Sequence, residues 1–144
     1  MWQTKTFQNL TALELWKIYQ LRVAVFVVEQ NCPYQEVDES DKSAVHFWQE
    51  IDGEIRAYCR IIDTPDWVKI GRVIVAPAAR GTGLGRELMS NAVEAVKTRF
   101  PTKPIYVQAQ AYLQKFYASF GFKAVSDEYL EDGIPHLDMV LEFR

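Results

Sequence analysis

Cysteine and histidine are scarce in this chain: Cys32, Cys59, His46 and His136 are all there is. No CxxC pair and no His/Cys cluster occurs, which argues against a dithiol redox motif and a zinc site. No metal is expected. Long apolar runs are missing as well. The longest strictly apolar stretch, Val23 to Val28, has six residues, whereas a membrane-spanning helix needs about 20. Met1 to Lys5 lacks the apolar stretch of a signal peptide. A soluble cytoplasmic protein with reduced thiols and no membrane partner is the expectation. Positive charge is not in excess either: the net charge is −3, without a long Lys/Arg run. That argues against a nucleic-acid surface, where phosphate neutralisation dominates binding. Repeats and low-complexity segments are also absent.

Apolar side chains are plentiful. They make up 49% of the 144 residues, and aromatics 13%. That is enough for the core of one domain, 1–144, and not comfortably two. Trp2, Trp48 and Trp67 are read as exposed aromatics that leave room for a homodimer.

The most informative stretch is Arg80-Gly81-Thr82-Gly83-Leu84-Gly85. Before it, Val68 to Val75 reads as a buried strand closed by Ala76-Pro77. After it, Leu84, Leu88, Ala92 and Val96 keep helical spacing, with Met89 and Val93 beside them. A glycine-rich turn between strand and helix presents free backbone N–H groups at the positive end of the helix dipole. An anion, usually a phosphate, is the natural ligand there. The Walker pattern is excluded because Arg86 and Glu87 follow Gly85. The dinucleotide pattern is excluded because Arg86 stands where its third glycine belongs. What remains is R-x-x-G-x-G at Arg80, Gly83 and Gly85, with Arg80 suited to bidentate phosphate contact and Arg86 either a second contact or a solvated side chain.

Local signals set the remaining elements. Thr11 and Glu14 form a capping box that starts a helix, with Leu15, Ile18, Leu21, Val25 and Phe26 on its apolar face. Pro33 must lie beyond its end, and residues 33 to 43 read as a polar, acidic loop. Val45 to Ile51 and Glu54 to Ile62 flank Asp52-Gly53, a strong hairpin signal. Beyond the long helix come a break at Pro101 to Pro104, a strand at Ile105 to Gln110 and a short helix at Tyr112 to Phe120, capped by Gly121. Phe122 to Val125 and His136 to Phe143 read as the last strands, with Asp127 to Gly133 as the loop between them. The order helix, three strands, helix, strand, helix, two strands predicts an α+β fold around one mixed sheet.

R-x-x-G-x-G, with Phe116-Tyr117-Ala118-Ser119-Phe120-Gly121-Phe122 further along, resembles the GCN5-related N-acetyltransferases (GNAT family). The order of elements matches that family over most of the chain. Arg22-Val23-Ala24-Val25-Phe26-Val27-Val28-Glu29-Gln30, the stretch Cys32 to Asp38, and Glu131 to His136 resemble its ElaA-type branch. The resemblance implies a GNAT fold, mostly antiparallel and flanked by helices, and acetyl-CoA as co-substrate. It implies that Arg80, Gly81, Thr82, Gly83, Leu84, Gly85 and Arg86 hold the pyrophosphate. It implies that backbone groups of Val73, Ile74 and Val75 bond the pantetheine amides like an added strand. Gln110 stands where relatives carry an Asn that contacts the same arm. Tyr117 matches the tyrosine near the CoA sulfur, where a phenol serves as general acid to the leaving thiolate.

The base is not found in its familiar place. Relatives often carry a Glu on the strand matching Val68 to Val75, and this strand has Lys69 and Arg72 but no carboxylate. A base from elsewhere, a water chain, or binding of the neutral amine would replace it. His136 is taken as a catalytic candidate and His46 as a substrate contact, because His titrates nearest neutrality. Glu29 is read as partly buried, pairing with Arg22 or facing the acceptor. Glu36, Asp38, Glu39 and Asp41, with Asp127, Glu128, Glu131 and Asp132, are read as an acidic mouth that attracts a cationic amine. The expected activity is acetyl transfer to a small-molecule or peptide amine. The alternative is a non-catalytic acyl-CoA-binding module.

Overall fold

The computed structural model describes residues 1–143. Eight strands form one sheet: β1 (Trp2–Thr6), β2 (Val45–Ile51), β3 (Glu54–Asp63), β4 (Val68–Val75), β5 (Ile105–Gln110), β6 (Lys123–Ala124), β7 (Tyr129–Glu131) and β8 (Ile134–Leu141). Their order is β1-β2-β3-β4-β5-β8-β6, with β7 also paired to β8. Every pairing is antiparallel except β4–β5. Three helices flank the sheet: α1 (Ala12–Val23), α2 (Leu84–Arg99) and α3 (Gln114–Ala118).

Local chemistry explains these boundaries. The Thr11–Glu14 capping box is formed in both directions. Asp52 and Gly53 take φ of +53° and +79°, the double left-handed step of a tight hairpin whose twist suits its strands. Two elements lie outside the sequence expectation. β1 precedes the first helix as an edge strand. β7 occupies part of the segment read as a loop, because Asp132-Gly133 makes a second hairpin with φ of +51° and +78°. α3 is shorter than expected, since Ala111–Leu113 forms a separate 3-10 turn.

α1 and α2 cover opposite faces of the sheet. Ile18 and Val25 pack on Trp48, Ile55, Tyr58 and Ile74 on one side. Leu88, Met89, Ala92 and Val96 pack on Cys59, Ile61, Ile70 and Val107 on the other. Trp48 is fully buried and Trp2 stacks on Phe47. Of the three tryptophans expected at the surface, Trp67 is the one that ranks as exposed, and it stacks on Tyr106.

β4 changes face part-way along. Gly71 pairs with Arg60 and Ile74 with Tyr58, so β4 carries one residue more than β3 over that span. This bulge places Arg72 at φ +52°. Val68 and Ile70 then face α2, while Ile74 faces α1. A bulge bends its strand and re-aims the residues beyond it. Here those residues are Val73 to Val75.

Candidate active site

β4 and β5 pair only at Val68–Ile105 and Lys69–Tyr106, and then diverge. The gap continues into a cleft of about 770 Å³ whose wall includes Val73, Ile74, Val75, Gln110 and Tyr117. Beyond Lys69 the β5-facing edge of β4 has no strand beside it. Its backbone groups are open to an added extended ligand. Gln110 ends β5 opposite His136 of β8.

Arg80 lines one end of the cleft, where the glycine turn begins. Gly81 and Gly83 take φ of +79° and +81°, and a Cβ at either would meet nothing within 4 Å. They are required for backbone shape and leave open space above the turn. Thr82 braces the turn by donating from Oγ1 to the Ala79 carbonyl at 2.6 Å. Gly83 caps α2, and the first helical bond runs from Glu87 N–H to Gly83 O. The N–H groups before Glu87 therefore have no acceptor within the helix. A Cβ on Gly85 would lie 3.5 Å from Val75 Cγ2, so this glycine lets α2 sit close to β4.

The arginines of the turn behave differently from each other. Arg80 Nη1 and Nη2 donate to the Glu29 carboxylate at 2.6 and 2.8 Å, and Nε donates to Val75 O at 3.1 Å. Glu29 is exposed and pairs with Arg80, which corrects the expected burial and the expected partner, Arg22. It ends the π-helical segment Ala24–Glu29 that prolongs α1. Its bonds to Arg80 hold its carboxyl below the usual range. Arg86 reaches α3 instead of the cleft: Nη1 donates to Ser119 Oγ at 3.2 Å, and the guanidinium lies over Phe116 and Phe120.

Tyr117 is positioned by the end of α3. Gly121 N–H donates to Ala118 O and Phe122 N–H to Tyr117 O, with Gly121 at φ +101°. That is a Schellman cap, and its apolar contact is the edge-to-face pair Tyr117–Phe122. Tyr117 is buried but lines the cleft, and burial pushes its phenol well above the ordinary range. The group stays protonated at neutral pH.

The two histidines have opposite surroundings. His136 lines the cleft, with Nδ1 2.7 Å from the Ile134 carbonyl. A carbonyl accepts only, so Nδ1 carries the proton and the neutral ring keeps its lone pair on Nε2. Nε2 lies 3.8 Å from Glu131 Oε2. His46 is fully buried, between the Tyr58 hydroxyl at 2.7 Å and the Asp41 carbonyl at 3.0 Å. Burial lowers its pKa. It is a core residue away from the cleft wall, which overturns its reading as a substrate contact.

The acidic mouth is also corrected. Glu36, Asp38 and Asp41 turn inward to Arg22, Arg60 and Arg72. Arg22 reaches Glu36 at 2.8 Å and Asp41 at 2.6 Å, and Arg60 reaches Asp38 at 2.7 Å. Arg72 Nε lies 2.7 Å from Glu36 Oε2, a charge contact off the hydrogen-bond axis. Three cations meet three anions, so this network is neutral. Burial opposes ionisation of Asp41, but bonds from Arg22 outweigh it and hold the carboxyl below its usual range. Glu39 pairs with Lys42 on the surface, and Asp127 and Glu128 are exposed outside the cleft wall. Asp38, with its carboxylate held by Arg60, lines the cleft, and so do Glu131 and Asp132. Lys69 and Gln108 line it as well, joined by a 2.7 Å bond from Nζ to Oε1. No local pattern marks that pair, because its residues lie 39 positions apart.

Among the described residues no group of three or more His, Cys, Asp or Glu could hold a metal ion, and no helix is long and apolar enough to cross a membrane. The model of the acetyltransferase (GNAT) domain matches residues 14–143. The chain belongs to the GNAT family. Protein ElaA of Escherichia coli is 46% identical, over 98% of this chain and 95% of its own length. The crystal structure of ElaA superposes with a TM-score of 0.95 over 99% of each chain. An acyl-CoA N-acyltransferase from Pseudomonas aeruginosa is 45% identical, with a TM-score of 0.96 over 99% of each chain. A UPF0039 protein of Schizosaccharomyces pombe is 48% identical over 96% of this chain and 94% of its own. The fold is the single-domain GNAT fold, and membership carries acyl-CoA-dependent N-acyl transfer as the general chemistry of the family.

Proposed function

We propose that the protein transfers the acetyl group of acetyl-CoA to a primary amine by direct attack within a ternary complex. The observation that supports this best is the continuity of three features. Arg80 at the start of the glycine turn, Val73 to Val75 on the open edge of β4, and Tyr117 all line one cleft. An anion-binding end, an amide-pairing middle and a proton donor match the three parts of an acyl-CoA: pyrophosphate, pantetheine and thioester.

This chain's residues then divide the work. The free N–H groups of the turn and Arg80 bind the pyrophosphate, with Arg80 exchanging Glu29 for phosphate. The edge of β4 orients the pantetheine arm, with Gln110 across from it. His136 Nε2, held as an acceptor by the Ile134 carbonyl, takes a proton from the attacking amine. As the C–N bond forms and the C–S bond breaks, Tyr117 donates its proton to the leaving thiolate. His136 supplies the base that β4 does not. The free thiols Cys32 and Cys59 fit a reducing compartment, and cytoplasmic localisation is part of the proposal.

The second reading, an acyl-CoA-binding module without turnover, is favoured by the absence of a carboxylate from β4. Acetyl-CoA-dependent thiol release across a panel of amines separates the two. Release with one amine class, lost in His136→Ala, is the expected result. Tight acetyl-CoA binding with no release for any small amine or peptide would favour the module.

A further inference from the structure

The acceptor itself can be narrowed, on the acetyl-transfer reading above. Lys69 stands where β4 and β5 meet, at the closed end of the gap. Its ammonium is partly buried, donates one hydrogen bond to Gln108, and has no carboxylate within 4 Å among the described residues. The two other cations nearby are occupied: Arg60 by Asp38 and Asp41, Arg72 by Glu36 and Asp38. Burial pushes the Lys69 ammonium toward neutrality. Glu131 and Asp38 act on it only from beyond contact distance, and a partly desolvated charge with no carboxylate bonded to it is an incomplete arrangement. Glu131, Asp132 and the acceptor nitrogen of His136 line the same cleft, and they suit an ammonium or an amine.

We propose that the acceptor is an amine that also carries a carboxylate, with the carboxylate on Lys69 and the amine directed to His136 and Glu131. Lys69 has two further N–H donors for the carboxylate oxygens. One unpaired cation matches one negative charge. A phosphate dianion would be repelled by Glu131 and Asp132, and a simple diamine would leave Lys69 facing a second cation. Gln108 and Gln110 are two residues apart on β5, about 7 Å. Lys69 is bonded to the first and His136 is paired opposite the second. The two groups thus stand beside neighbouring same-face positions of β5, within reach of one small molecule.

The test compares matched pairs that differ only by the carboxylate: γ-aminobutyrate with propylamine, whose amines have similar basicity, and leucine with isoamylamine. Two readouts are taken for wild type, Lys69→Gln and Lys69→Arg. One is kcat/KM for thiol release from acetyl-CoA. The other is calorimetric binding of each amine to the protein saturated with CoA, where no chemistry occurs. A hydrogen-bonded charge pair predicts a preference for the carboxylated member of roughly 10- to 100-fold. The preference should collapse in Lys69→Gln and be retained in Lys69→Arg. Turnover without a preference, or a preference equal in wild type and Lys69→Gln, overturns the carboxylate site and leaves acetyl transfer standing. A Lys69-dependent binding preference without turnover upholds the carboxylate site and removes acetyl transfer. No Lys69-dependent preference in either readout overturns the inference.

Discussion

Tyr117→Phe is expected to lower kcat by roughly 10²–10⁴-fold, the usual contribution of a positioned general acid, while acetyl-CoA affinity stays close to wild type. The hydroxyl stands apart from the contacts that hold the ring. Tyr117 is held by the Schellman cap of α3 and by edge-to-face contacts with Phe116 and Phe122. None of these contacts uses the hydroxyl. No side-chain hydrogen bond of that hydroxyl occurs among the described residues, so its removal strands no buried partner. The fold should therefore tolerate the change, and the loss should fall on chemistry. Burial raises the phenol pKa, so the hydroxyl loses its proton only at strongly alkaline pH. A basic limb of the rate profile near neutrality would have to come from another group. Steady-state kinetics with thiol detection, beside a direct acetyl-CoA titration, tests both statements. Wild-type kcat in the variant would remove Tyr117 from the mechanism.

Gly83→Glu is expected to abolish measurable acetyl-CoA binding. Gly83 caps α2 at φ +81°, and the space its side chain would enter is open in the protein. The glutamate would occupy that space with a carboxylate at the positive end of a helix dipole, competing with the phosphate for the same N–H groups. Gly83→Ala separates this effect from backbone strain. Its methyl meets nothing within 4 Å, so its main cost is the left-handed conformation, about 1–2 kcal/mol. The alanine variant should lose thermal stability and keep much of its affinity, and the glutamate variant should lose affinity. Normal acetyl-CoA binding by Gly83→Glu in a calorimetric titration would refute the assignment of the turn.

Much of the fold was legible because its signals are local. The capping box at Thr11 and Glu14, the hairpin at Asp52-Gly53 and the spaced glycines each act within a few residues. β7 was missed although Asp132-Gly133 carries the same hairpin signal as Asp52-Gly53, because the acidic residues around it read as loop. β1 escaped because five mostly polar residues at a sheet edge have little apolar pattern. In the site, Arg80 and Tyr117 could be found by their place in motifs. The partners of Glu29, Glu36, Asp38 and Asp41 could not. Those ion pairs join residues 14 to 51 positions apart, and no spacing rule reaches that far. Read along the chain, three carboxylates suggested a charged mouth. Folded against Arg22, Arg60 and Arg72 they are a neutral brace between α1, β3 and β4.

In the proposed binding mode, the Glu29–Arg80 pair would make the mouth of the cleft an ion exchanger. A phosphate binding there would displace a carboxylate already paired with Arg80, so the charge at the guanidinium would be the same before and after the swap. Long-range attraction is correspondingly weak, and ionic strength has little to screen. Acetyl-CoA affinity should therefore respond gently to added salt in the wild type. It should respond more steeply in Glu29→Gln, where the incoming phosphate meets a cation without a counter-charge. Equal salt slopes in the two proteins would mean that the displaced carboxylate plays no part in admission of the ligand.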